Sequence, residues 1–168
     1  MVKHNAAFFS HDVGTTGVVN EDNEGGCLKA FIPQLKRNPD TLKVGMKHSE
    51  EWEVTENLCT TRGDYKVFST PSMTRFVEMA SQSLAAPHLK PGQGQVGVSV
   101  NIRHLAPTPV GKKVRADVEL TGIDRRRLIF KVKVFDDIEQ VGEAEHDRFV
   151  IDVDKYIERL RRKMDLQK

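Results

Sequence analysis

A change of period limits what this chain can become more than any other feature. Between Pro71 and Ala86, the apolar residues Met73, Phe76, Val77, Ala80 and Leu84 fall on one face of a helix, spaced by three, four and seven residues. Thr70 before Pro71 supplies a start signal, since threonine can cap free amides and proline loses nothing in the first turn. Pro87 ends the helix, and Pro91, Gly92 and Gly94 form a turn-rich loop. Beyond that loop the period becomes two. Val96, Val98, Val100 and Ile102 form one run, Val114 to Leu120 a second, Leu128 to Val134 a third and Ala144 to Ile151 a fourth. Short, turn-rich breaks between runs make antiparallel neighbours, and a lone apolar-faced helix must bury that face on their sheet.

The remaining segments complete an α+β plan. Trp52, Val54 and Leu58 sit among polar residues as a first strand would, and a basic helix is expected from Asp154 onward. Residues 1–40 carry four glycines and an acidic cluster without sustained period, so they read as an N-terminal extension that nothing commits wholly to order. The domain is expected over residues 41–168. The chain's total of 168 residues suits one core.

Composition removes several classes of function. Lys plus Arg total 26 against 24 Asp plus Glu, a net charge of +2 that gives no electrostatic case for nucleic acid. No run reaches the roughly 18 to 20 apolar residues of a membrane span. The two cysteines, Cys27 and Cys59, form no CxxC pair and no disulfide framework, which suits a reducing cytoplasm. Six histidines show no metal-ligand spacing, and Gly92 to Gly97 spells GxGxxG only by accident, because a strand follows rather than a helix. The run Arg125 to Arg127 reads as a solvated hairpin, with a clamp for phosphates as the alternative.

Three stretches say more than the order of elements. VFSTPSMTRFVEMA, HLKPGQGQVGVSVNIRHLAPTPVG and VGEAEHDRFVID, in that order and in consistent register over residues 42–160, resemble the fluoroacetyl-CoA thioesterase family of hot-dog proteins. The resemblance implies a hot-dog fold, an antiparallel five-stranded sheet wrapped around a central helix, here followed by a C-terminal helix. It implies hydrolysis of an acyl-CoA to an acid and CoA by a cytoplasmic homodimer or higher homo-oligomer, with no cofactor beyond the CoA of the substrate and no metal, nucleic acid or membrane partner. Other classes are a non-catalytic module that binds acyl-CoA or acyl carrier thioesters, and a hot-dog dehydratase or hydratase.

By the same resemblance Thr70, Glu78 and His104 are the catalytic residues, and Gly97, Arg148 and Phe68 bind substrate. Each has an ordinary reading too. Thr70 is a helix cap, Glu78 a charge on a polar helix face, His104 a histidine beside a turn and Gly97 a strand glycine. His146 and Arg148, two apart on one strand, share a face. One element of the fluoroacetyl specialist is missing: its phenylalanine-rich lid is replaced by the run Cys59 to Tyr65. The resemblance therefore implies thioester hydrolysis without selectivity for the fluorinated acyl group.

Overall fold

The computed structural model describes residues 41–166, so the expected extension over 1–40 lies outside the described residues. In chain order the elements are β1 (Lys47–Glu53), a 3-10 turn, β2 (Cys59–Arg62), β3 (Tyr65–Phe68) and α1 (Thr70–Ala85). After a second 3-10 turn come β4 (Gln93–His104), β5 (Lys113–Asp124), β6 (Arg127–Phe135), β7 (Gln140–Asp152) and α2 (Val153–Asp165). The main sheet runs β1-β5-β6-β7-β4, every neighbour antiparallel. This is the five-stranded α+β plan expected from the periods.

The core lies between α1 and one face of the sheet. Met73, Phe76, Val77, Ala80 and Leu84 are all buried, as their spacing requires. Facing them are Val114, Ala116, Val118 and Leu120 of β5 and Leu128, Phe130, Val132 and Val134 of β6, each set at alternate positions. Trp52 of β1 closes one side, its ring 4.6 Å from that of Phe76. Burying a side chain such as Phe76 or Phe130 contributes about 2–3 kcal/mol, so this shared face holds the helix in place.

Two local details differ from the sequence reading. The first strand stops at Glu53, because Val54 turns inward to pair with the loop before β5: its amide donates to Lys112 O, and its carbonyl accepts from Gly111 N. Leu58 consequently belongs to a 3-10 turn rather than to the strand. The second difference is an added hairpin, β2–β3, pairing Cys59 with Phe68 and Arg62 with Tyr65 across a Gly63–Asp64 turn. Gly63 supplies a φ of +58° there. Its strands are only four residues long and lack apolar alternation, which hid them.

Two features of the sheet position the site. The inward face of β7 changes character along its length, from Ala144 to His146 and Arg148, both buried. On the edge strand β4, pairing with β7 slips between Gly97 and Ser99, leaving Val98 as an extra, exposed residue. The other side of β4 pairs with no strand among the described residues.

Candidate active site

The start of α1 is built differently from the sequence reading. Ser69, not Thr70, is the cap: its hydroxyl accepts from Ser72 N at 3.3 Å, and Thr70 is already helical. Both residues have a hydroxyl and both precede Pro71, which is tolerated in a first turn, so the pattern fits either. The consequence is chemical. With Ser69 serving the amides, the Thr70 hydroxyl lies 3.0 Å from Nδ1 of His104 at the end of β4.

His104 is half-buried, and burial lowers its pKa below the ordinary histidine value, favouring the neutral ring. Its Nε2 is shielded and has no hydrogen-bond partner among the described residues. A hydroxyl beside a neutral imidazole is a pair that can hand a proton between oxygen and nitrogen or fix the orientation of a reacting group. It opens onto a cavity of about 720 Å³, whose lining includes Thr60, Arg62, Phe68, Thr70, His104 and Pro107. Phe68 contributes from the core, since its ring is almost wholly buried.

Glu78, Gly97 and Arg148 form a second group. A Cβ on Gly97 would collide with Oε1 of Glu78, so the missing side chain is what makes room for the carboxylate. The sequence offers Gly97 as a substrate-binding residue or an ordinary strand glycine; here it sits at the bulge and serves as space. Arg148 is buried beneath Glu78. Its Nη1 donates to the Glu78 carbonyl at 3.2 Å and to His146 Nε2 at 3.1 Å, Nε donates to Gln95 Oε1 at 2.8 Å, and Nη2 reaches Gln82 Oε1 at 3.4 Å. Burial lowers the Arg148 pKa, and the nearby Glu78 charge opposes that shift.

An arginine only donates, so the Nε2 of His146 must be unprotonated, and its proton sits on Nδ1, 2.8 Å from the Ser99 carbonyl at the bulge. Burial holds the His146 pKa below the usual value. His146 thereby ties the bulge carrying Gly97 to the cation under Glu78. The sequence reading placed His146 on the right face without giving it this role, and it missed Ser69, Gln82 and Gln95. Polar residues interrupting an otherwise apolar inward run of β7 were the available signal.

Gly142, also in the matching segment, has a packing role. A Cβ there would stand 2.5 Å from Met73 Sδ, so the first turn of α1 can lie on β7 only without one. On the opposite face of the sheet, Arg125 to Arg127 line a cleft with Val98 and Phe149, and Arg127 pairs with Asp147. Among the described residues no cluster of three His, Cys, Asp or Glu side chains could hold a metal, and no helix is long and apolar enough to cross a membrane.

Within one chain the two groups stay apart. Eight helical residues separate Thr70 from Glu78, about 12 Å along the axis. The structure thus unites Thr70 with His104, and Glu78 with Gly97 and Arg148, but does not unite the two groups within one chain.

Comparison with known proteins identifies the family. A family model described as fluoroacetyl-CoA-specific thioesterase covers residues 51–154. A fluoroacetyl-CoA thioesterase from Streptantibioticus cattleyicolor is 35% identical over 98 residues, spanning 58% of this chain and 70% of that protein. A solved structure of fluoroacetyl-CoA thioesterase superposes with a TM-score of 0.69 at 28% identity, over 74% of this chain and 98% of that one. A hot-dog-like protein from Thermanaerovibrio acidaminovorans, 19% identical, shares the fold at a TM-score of 0.67 over 71% and 91% of the two chains. Added to a helix cradled by five antiparallel strands and the expected residues at its start and middle, these matches place the chain in the fluoroacetyl-CoA-specific thioesterase family, a thioester hydrolase with the hot-dog fold.

Proposed function

We propose that this protein hydrolyses an acyl-CoA to a carboxylic acid and free CoA, in the cytoplasm, as a homodimer and without a metal or added cofactor. The observation that carries the reading is the Thr70 hydroxyl on the His104 ring, released from capping by Ser69 and facing a cavity. A module that merely bound thioesters would have no need of a hydroxyl paired with an imidazole at that cavity.

Each active site combines two subunits. A carboxylate about 12 Å from Thr70 along α1 cannot serve the same carbonyl, since a base must lie within roughly 3 Å of its proton or one water away. The unpaired edge of β4 offers the remedy. Two copies pairing antiparallel about its middle, near Val100 and Asn101, would lay His104 beside Gly97 of the partner subunit. Glu78 of the partner subunit then takes a proton from the attacking water, and Thr70, steadied by His104, orients it. The start of α1 offers backbone N–H and positive dipole to the oxyanion. As the C–S bond breaks, the CoA thiolate takes the proton back from the carboxyl. Gly97 and Arg148 hold the carboxylate side of the site, and Phe68 closes the acyl end of the cavity.

Thiol release across acyl-CoAs from acetyl to long-chain and aryl tests the activity, with less than tenfold preference expected for fluoroacetyl over acetyl, under about 1.4 kcal/mol at the transition state. Complementation tests the geometry. Inactive Thr70→Ala and Glu78→Gln proteins, mixed and allowed to exchange subunits, should regain up to half of wild-type activity per heterodimer, because one of its two sites is intact. Verified exchange without recovered activity would overturn the shared site, and a monodisperse monomer in light scattering would overturn the dimer.

A further inference from the structure

The hairpin β2–β3 has no part in the catalytic groups, yet one of its faces looks over them. In register, Thr60 lies opposite Val67 and Arg62 opposite Tyr65, so these four side chains share a face. Thr60, Arg62 and Val67 line the cavity that holds Thr70 and His104. Arg62, Tyr65 and Val67 also line a neighbouring cavity of about 390 Å³, closed by Pro107 and Pro109. The two cavities thus run along one hairpin face with Arg62 at their junction.

Among the described residues that line this path, Arg62 is the only charged side chain apart from the titratable His104, and none is Asp or Glu. Its guanidinium lies along its own strand: Nη1 donates to Thr60 Oγ1 at 3.2 Å and to the Thr61 carbonyl at 2.9 Å. Those bonds leave other N–H groups of the five-donor fork directed to neither, and no ion pair among the described residues involves Arg62. Lys66, by contrast, lies on the other hairpin face and pairs with Glu56 at 2.9 Å. A cation without a counter-charge among the described residues, set in a groove that begins at Thr70 and His104, is suited to an anion on the molecule occupying that groove.

We infer that Arg62 binds an anionic group of the thioester substrate; the inference rests on the thioesterase reading and narrows its substrate class. The anion is either a carboxylate on the acyl chain or a phosphate of CoA. Both present oxygens that an arginine fork can take in pairs.

The experiment compares wild type with Arg62→Gln on butyryl-CoA, succinyl-CoA and the two corresponding N-acetylcysteamine thioesters, which lack phosphates. An acyl carboxylate predicts that the substitution lowers kcat/KM by about tenfold or more on both succinyl esters while changing the butyryl esters less than about twofold. A CoA phosphate predicts a comparable loss on both CoA esters and none on the N-acetylcysteamine esters. Values within about twofold of wild type on all four substrates would overturn the inference. Calorimetric titration with butyryl and succinyl CoA analogues, a methylene replacing the thioester carbonyl, separates this result from the hydrolytic reading. If wild type released no thiol, weaker analogue binding by Arg62→Gln would still support the anion site, while equal binding or none would overturn it.

Discussion

The two groups on α1 treat their polar atoms in opposite ways. At the start of the helix, Thr70 is exposed, His104 keeps an unpartnered Nε2, and both face a cavity. Around the middle, Arg148 is bonded to Gln95, the Glu78 carbonyl, His146 and Gln82, and His146 is bonded at both ring nitrogens. A buried polar atom without a partner costs about 1–3 kcal/mol, so the open group persists only because its surroundings hold it there. The satisfied group behaves as a support, fixing the backbone beneath Glu78 and the bulge beside it. The atoms proposed to react, the Thr70 hydroxyl and the Glu78 carboxylate, stand at the edges of the two groups rather than within the network.

Substitutions can break this contrast. Glu78→Gln should have the largest effect, lowering kcat on the best acyl-CoA by on the order of 10² or more with little change in thermal midpoint, because a proton acceptor is lost and its shape kept. Near-wild-type thiol release would remove Glu78 from the chemistry. His104→Ala should cost less, about thirtyfold, since Thr70 loses its partner but keeps its place on the helix. A fall in stability without a fall in kcat would make His104 part of the support. Gly97→Ala should slow turnover by about tenfold, because the new methyl displaces the flexible end of Glu78 rather than backbone. Its thermal midpoint should stay close to wild type, and a large drop in melting temperature with unchanged kcat would count against space for the carboxylate as the role of Gly97.

The smallest effect is on pH dependence. Both His104 and His146 have folded-state pKa values below the ordinary 6.5, so the unfolded chain takes up their protons first as pH falls. Their contribution to stability is therefore complete above about pH 6.5 and declines below it, toward the folded-state values. His146, fully buried and beside Arg148, should account for more of that slope than His104. Thermal midpoints at pH 7 and pH 5.5 for wild type, His146→Gln and His104→Ala measure the two shares. An equal slope in wild type and His146→Gln would mean that the buried ring is not the group resisting protonation.

Much of the architecture was readable before the structure, for a definite reason. The face of α1 and the inward rows of β5 and β6 are apolar at regular spacing, and burial of such rows leaves little choice of period or orientation. Hairpin β2–β3 escaped because Cys59, Thr60, Thr61 and Arg62 carry no such alternation; its available signal was the two-residue Gly63–Asp64 turn. Thr70, Glu78, His104, Gly97, Arg148 and Phe68 could be named from motif register, but the local start signal gave Thr70 a capping role that Ser69 in fact performs. Two adjacent hydroxyls before a proline look alike in a sequence; only the path of the backbone decides which one meets the Ser72 amide.

Local order thus separates from spatial coincidence. Sequence by itself determined the alternation of elements, the apolar faces and the residue types available for thioester chemistry, because these follow from side-chain period and turn chemistry within short windows. Tertiary structure decided which polar groups meet. Thr70 reaches His104 across 34 positions of sequence, and Arg148 reaches the Glu78 carbonyl across 70. Those meetings depend on how α1 lies across the sheet and where β4 bulges, and both are set by packing of the whole core rather than by any local run of residues.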